Sequence, residues 1–205
     1  PKIEALCRKG LVYEALRGDS SRYRLWLAPE MFLRVTYWDG KDKEPTRSMA
    51  PHANKYYMDG WYDQTRPFPH PGLRAIPINQ TVETGKTILP FEDVVKVIDN
   101  YEYYSVSHCP CRQRHKLDPD FEESRFPSEV CFHFDELGRY IVKHGHGREI
   151  TKEETLEILK KAADAGLVHG LENQTENPET LCNCDLEYCT FFKPYHQLNF
   201  DKSVD

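Results

Sequence analysis

Cysteine is the residue whose type and spacing point most directly to chemistry in this chain. Six of its seven cysteines fall in three clusters of the second half: Cys109 and Cys111 in HCPCR, Cys131 alone in EVCFHF, and Cys182, Cys184 and Cys189 in CNCDLEYC. Two cysteines separated by one residue make awkward disulfide partners, but both can face one metal centre. That spacing, with an odd total, fits metal ligation in a reducing, cytoplasmic setting better than a disulfide framework. Thiolates are soft ligands, and four of them suit zinc or an iron–sulfur cluster. Zinc ribbons place their cysteines in C-x2–4-C pairs, each turning around one small ion. The wide separation of these clusters instead suits a larger [4Fe–4S] cluster, with zinc as the alternative. The ligands are expected among Cys109 or Cys111, Cys131, Cys182, and Cys184 or Cys189, delivered by loops.

Other chemistry is thinly represented. No phosphate-binding glycine loop, GxSxG elbow or HExxH helix is present. Pairing Cys109 with His133 as nucleophile and base is open, but the clustering puts ligation first. His108, His115, His133 and His169 carry ligating nitrogens, although a histidine is more often hydrogen-bonded or solvated. Arg112 and Arg114 read equally well as charges offsetting thiolates and as exposed loop residues. His144 and His146 read as a polar helix end and turn, not as a metal pair.

Composition narrows the function classes. The 205 residues carry a net charge of −6 without a Lys/Arg block, which disfavours a nucleic-acid partner. No apolar run reaches the roughly 18 residues of a membrane helix, and no secretory leader is visible. Apolar residues at 39%, rich in Tyr and Phe, are enough for one domain or a domain with a small annex.

The elements that must position the cysteines follow from periodicity. Ile3, Leu6 and Cys7 lie on one helical face that Gly10 ends, with Cys7 as a small buried residue. LVYEAL and RYRLWLA around RGDSS then predict a β-hairpin in which Tyr23, Leu25 and Leu27 alternate with Arg22, Arg24 and Trp26. Helix, glycine and hairpin make the closing half of a winged helix; the acidic chain favours a docking or structural wing over a DNA-binding one. Met31–Trp38 reads as helix. Residues 41–78, with Pro45, Pro51, Pro67, Pro69, Pro71 and Pro77, read as a long connection without a long helix. Tyr56, Tyr57, Trp61, Tyr62 and Phe68 would pin it down by packing.

Further on, LRAIPIN reads as a short strand, Pro90 opens an amphipathic helix through Phe91, Val94, Val95 and Ile98, and EYYSVSHC reads as a strand. Residues 112–128 read as loop. The spacing of Val130, Phe134, Leu137 and Ile141 favours a helix from Glu129 to Gly145 over a strand at VCFHF. Thr151 and Glu154 form a capping box opening a helix with Leu156, Leu159, Ala162 and Ala163 inward and Gly166 as its stop. Leu167 and Val168 begin a strand, ENQTENPET is a polar loop leading to Cys182, and FFKPYHQLNF is an irregular tail. LCRKGLVYEAL and AADAGLVHGLE echo one another as helix, Gly-Leu-Val, strand. The expected architecture is α+β: a winged-helix-like unit at 1–40, the connection at 41–78, and a small metal-binding domain at 79–205.

Taken together, GKTILPFEDVVKVIDN, HCPCR, EVCFHF, GREITKEETLEILKKAADAGLVHGLEN and CNC resemble a bacterial and archaeal family of iron–sulfur proteins. Its members carry a winged-helix-like start, a CxCR motif, a GREI(S/T)KEEAL helix with GLVH and a CNCC-type run, many continuing into a ferredoxin-like domain. The likeness covers roughly residues 80 to 190. Two departures stand out: Asp185 occupies a place where the family often has cysteine, and no ferredoxin-type domain lies within these residues. The resemblance implies an electron-transfer or accessory component beside an anaerobic oxidoreductase, with a protein redox partner. A redox-sensing winged-helix regulator and a structural zinc module are the rival expectations.

Overall fold

The computed structural model describes residues 2–17, 20–26, 29–65, 72–76, 94–172 and 178–198. The fold is α+β. Its centre is a six-stranded antiparallel sheet built from β3 (Leu73–Ala75), β4 (Tyr104–His108), β5 (Glu129–Phe134), β6 (Arg148–Ile150), β7 (Val168–Glu172) and β8 (Thr180–Cys184), in the order β3-β7-β8-β5-β4-β6. Short helices cover it: α5 (Val94–Ile98), α7 (Asp135–Lys143) and α8 (Lys152–Asp164). One face buries Val106, Phe132, Phe134, Ile150, Leu171 and Leu181 against Val94, Ile98 and Leu159. Burying each such side chain contributes roughly 1.5–3 kcal/mol, so this layer is the main source of stability.

Before the sheet come α1 (Lys2–Arg8), β1 (Val12–Arg17) and β2 (Ser20–Leu25). The helix, glycine and hairpin therefore occur in the expected order. Gly10 sits at φ 71°, and an added Cβ would lie 2.6 Å from Val35, so only glycine fits that turn. The hairpin differs from the expected inward alternation: β2 is exposed throughout, Leu25 at 72% and Tyr23 at 42%, and Leu27 lies outside the described residues. β1 takes the buried role, packing Val12 and Tyr13 with Cys7, Trp38, Leu137, Tyr140 and Ile141. Cys7 is fully buried, as its place on α1 predicts.

α2 (Pro29–Val35) bears out the helix expected near Met31, ending three residues earlier. The Pro-rich connection, by contrast, contains a 13-residue helix, α3 (Glu44–Tyr56), that continues through a π-helical turn at Tyr57–Trp61 into α4 (Tyr62–Thr65). The prolines mislead because Pro45 falls in the first turn, where its missing N–H has no intrahelical partner to lose. Pro51 lies inside the helix and removes a single bond. Tyr57, Trp61 and Tyr62 are buried, and Phe68 lies outside the described residues.

The segment read as one helix from Glu129 to Gly145 divides at Phe134 into strand β5 and helix α7. β5 is buried on both faces, so it lacks the two-residue alternation of a half-exposed strand. Val130 and Phe134 happen to continue the helical spacing of Leu137 and Ile141, which hides the boundary. Asp135 turns the chain there at φ 41°, its carboxylate accepting the N–H groups of Glu102 and Tyr103 at 3.0 Å.

α8 starts at the expected N-cap, with the Thr151 hydroxyl accepting the Glu154 N–H at 3.1 Å, but the Glu154 carboxylate accepts from Arg148 at 2.7 Å and does not complete a capping box. Leu159 and Ala162 are buried, whereas Leu156 and Ala163 are only partly so. Thr151→Ala should therefore cost about 1 kcal/mol of unfolding free energy in urea denaturation, the usual loss of an N-cap. Both echoed segments fold alike, as helix, glycine at positive φ (Gly10 and Gly166) and strand. The strand at Leu73 is present as β3, while the helix start at Pro90 and residues 173–177 of the polar loop lie outside the described residues. The C-terminal stretch is not wholly irregular: Phe192–Gln197 form α9. No described helix is long and apolar enough to cross a membrane.

Candidate metal centre

Regular elements deliver most of the cysteines, which corrects the expectation of loops. Residues 110–116, expected in part as loop, form α6 (Pro110–Lys116). Cys109 is its N-cap, Pro110 its first residue, and Cys111 follows in the first turn. Periodicity could not reveal this helix, because its buried residues after Cys111 are Arg112, Gln113, Arg114 and His115. Cys131 lies on β5, and Cys182 and Cys184 share one face of β8 two residues apart. The register Phe132↔Leu181 places Cys131 directly beside Cys182. Cys189 lies in the turn before α9, its N–H bonded to Asp185 O at 3.1 Å.

The fold thus brings all six sulfurs to one place. Neighbouring thiols shift one another's protonation in sequence: Cys109 with Cys111, Cys111 with Cys189, Cys189 with Cys184, Cys184 with Cys182, and Cys182 with Cys131. Cys111, Cys131, Cys184 and Cys189 are buried; Cys109 and Cys182 are half-buried. Protons are shared unevenly among them. Cys109 and Cys189 push the Cys111 thiol well down, helped by the Arg114 and Arg34 charges. Cys131 and Cys184, with Arg34, do the same for Cys182. The Cys109 and Cys131 thiols are held high by those partners and by burial. Cys184 is raised by Cys182 and Cys189, and Cys189 chiefly by burial.

Three arginines surround the sulfurs. Arg112 and Arg114 are 3% and 2% exposed, so the reading of them as exposed loop charges is overturned. Arg112 donates to Asn183 O at 3.1 Å and Pro127 O at 2.8 Å. Arg114 donates to Asn54 and to the Thr190 hydroxyl, and lies 4.2 Å over the Tyr57 ring. Burial acts to lower the Arg34 and Arg112 pKa values, but the acidic groups packed against them outweigh it and both are raised: Tyr57 and the thiols of Cys111, Cys182 and Cys189 beside Arg34, and Cys109, Cys184 and Asp185 beside Arg112. Arg34 Nε, Arg112 Nε and Arg114 Nη1 are buried without a hydrogen-bond partner among the described residues. A buried, unpaired guanidinium N–H is costly in a finished site. Such donors beside thiolates fit a centre meant to hold an anionic group.

No family model, curated protein or solved structure matches this chain.

The remaining residues near the sulfurs are committed elsewhere. Asp185 accepts the N–H of Glu187 at 2.7 Å and the Ser124 hydroxyl at 2.9 Å, so this carboxylate shapes the turn to Cys189. Each nearby histidine has another partner: His108 with Ser128, His115 with Cys111 O, His133 with Ser107, and His169 with Asn183. Gly40, at φ 65°, lies so close to His108 that a Cβ would meet its ring at 2.3 Å. The belt of α3, the π turn and α4 walls the centre: the Tyr62 hydroxyl donates to Thr190 O at 2.9 Å, and the Thr190 hydroxyl lies 3.1 Å from Cys111 Sγ. Arg34, Asn54 and Thr190 had no sequence signal, since each is common polar chemistry, whereas Tyr62 was expected to pack but not to reach Thr190 beside the cysteines.

His133 supplies a pH prediction. Burial, with His146 adding a little, lowers its pKa from 6.5 to about 3. The unfolded state therefore takes up the proton first on acidification. The stability that His133 contributes is complete above pH 6.5 and is lost as pH falls towards 3, by up to about 1.4 kcal/mol per pH unit. Unfolding free energies of His133→Gln measured between pH 6 and 4 should fall less steeply than those of the parent protein.

Proposed function

We propose that the six cysteines hold an iron–sulfur cluster of the [4Fe–4S] type, and that the protein passes electrons to or from a protein partner. The observation that carries this reading is the convergence of six sulfurs from separate elements beside two buried arginines, Arg112 and Arg114, and the partly buried Arg34. A [4Fe–4S] cluster with four thiolates carries net negative charge in its usual states, which Arg34, Arg112 and Arg114 offset. A single zinc ion fits less well. Tetrahedral Zn–S bonds put sulfurs about 3.8 Å apart. Among the described residues, the trio of ligand atoms found mutually within 4.8 Å is Cys7, Glu14 and His144, and no three of the six sulfurs close that far.

Cys131 and Cys182, neighbours across the sheet, would supply two ligands, with one each from the Cys109/Cys111 and Cys184/Cys189 pairs. When bound, the cluster supplies one-electron redox chemistry. The protein's part is to exclude water, compensate charge and donate hydrogen bonds to sulfur, which tune potential. Half-buried Cys109 and Cys182 mark the side on which electrons enter or leave. The family resemblance adds an accessory role beside an anaerobic, cytoplasmic oxidoreductase.

Anaerobic purification followed by iron, sulfide and zinc analysis with a visible spectrum tests the proposal. A brown protein with iron and sulfide in equal amounts is expected. A colourless protein holding one zinc and no iron would overturn it.

A further inference from the structure

A second set of ligating side chains lies away from the six cysteines. Cys7 on α1, Glu14 on β1 and His144 at the C-cap of α7 each offer a ligand atom, all within 4.8 Å of one another. They are 0%, 1% and 7% exposed. The set forms because β1 lies along α7 and the Tyr140 hydroxyl bonds to Cys7 O at 2.9 Å, drawing α1 against the same surface. The reading of His144 as a polar helix end is thus incomplete: its Nε2 lies 2.7 Å from Glu14 Oε2. Glu14 Oε1 accepts from Lys143 at 2.7 Å and from Tyr23 at 3.0 Å.

A hydrogen-bond network around a buried carboxylate accounts for Lys143, Tyr23 and His144. It does not account for Cys7. That thiol is buried beside the carboxylate and makes no side-chain hydrogen bond among the described residues. The Val12, Val35 and Trp38 side of its pocket would accept a purely apolar residue as readily. Thiolate, imidazole and carboxylate are together the donor set of zinc. Two anionic ligands neutralise a dication, so the buried complex carries no net charge and avoids the cost of burying one. Lys143, at 43% side-chain exposure, stays hydrated at the rim on the other carboxylate oxygen. Tetrahedral zinc spaces such ligands by about 3.3–3.8 Å, which the trio reaches once His144 and Glu14 part slightly.

We propose that Cys7, Glu14 and His144 form a separate site for a zinc-type divalent cation, with a water as fourth ligand, pinning α1 and the hairpin to α7. The site is independent of what the six cysteines hold. Its probe is Zn2+ itself, added to the full-length protein and the excess removed. X-ray absorption at the zinc edge should then show a sulfur-plus-nitrogen/oxygen shell. Cys7→Ala and His144→Gln should each hold one zinc fewer per chain than the parent protein, with iron and sulfide unchanged. Zinc bound only in an all-sulfur shell, absence of zinc, or equal zinc in the parent and variants would overturn the proposal. The absorption measurement on the parent protein decides the matter if the variants do not fold.

Discussion

Cys182→Ala is expected to lower the iron and sulfide bound per chain by about tenfold or more, while leaving the sheet folded. Cys182 lies between Cys131 across the sheet and Cys184 on its own strand, and its thiol is pushed well down by those two thiols and by Arg34. It is thus among the sulfurs best prepared to bind as thiolate, the form metals require. Its backbone pairs with Gly170 on β7, and neighbouring Leu181 pairs with Phe132 on β5, so removing one sulfur leaves the ladder intact. Elemental analysis and the visible spectrum after anaerobic reconstitution give the result, with far-UV circular dichroism reporting the fold. Unchanged iron in a folded Cys182→Ala protein would remove this residue from the ligand set. Cys7→Ala is the matched control, since Cys7 is remote from the six and its loss should leave iron unchanged.

Arg114→Ala is expected to destabilise the fold by about 3–5 kcal/mol, the range for removing one partner of a buried charge network. Arg114 is among the largest fully buried side chains and joins three parts of the chain. It donates to Asn54 of α3, which in turn donates to Asp118 at 2.6 Å, and to Thr190 beyond Cys189. Its guanidinium stacks over Tyr57, and its charge helps to hold Cys111 as a thiolate. Removal leaves Asn54 Oδ1 without its donor, takes one of the two compensating charges from the Cys111 thiolate and opens a cavity between α6 and the belt. Urea denaturation reads the loss directly. Arg114→Lys separates the two roles, because a lysine keeps the charge but not the planar fork; it should recover part of the stability. A loss below about 1 kcal/mol for Arg114→Ala would show that the belt holds α6 without it.

How much of this was readable from the residues depended on where each contact lies along the chain. Local rules worked where local partners exist. Gly10 and Gly166 end helices as their spacing predicts, Thr151 caps α8, and β4 runs to His108. They failed where a tertiary environment overrode the pattern. β5 is buried on both faces and borrowed the spacing of α7; α6 is buried through polar side chains and shows no apolar stripe. The alternation in β2 marked a strand but not a buried face, because α7, distant in sequence, covers β1 and not β2.

The same division applies to the cysteines. By itself the sequence determined that six sulfurs come in three clusters and that soft-metal chemistry is their natural use, since residue type and short spacing are local facts. Only the tertiary structure decided that the clusters meet, because strand register sets Cys131 beside Cys182 and the turn at Asp185 returns Cys189 to Cys184. It alone placed Arg34, Arg112 and Arg114 around them and gathered Cys7, Glu14 and His144 elsewhere. Such groupings depend on pairing across strands and packing between helices, where residues far apart in sequence become neighbours through buried area and hydrogen-bond register.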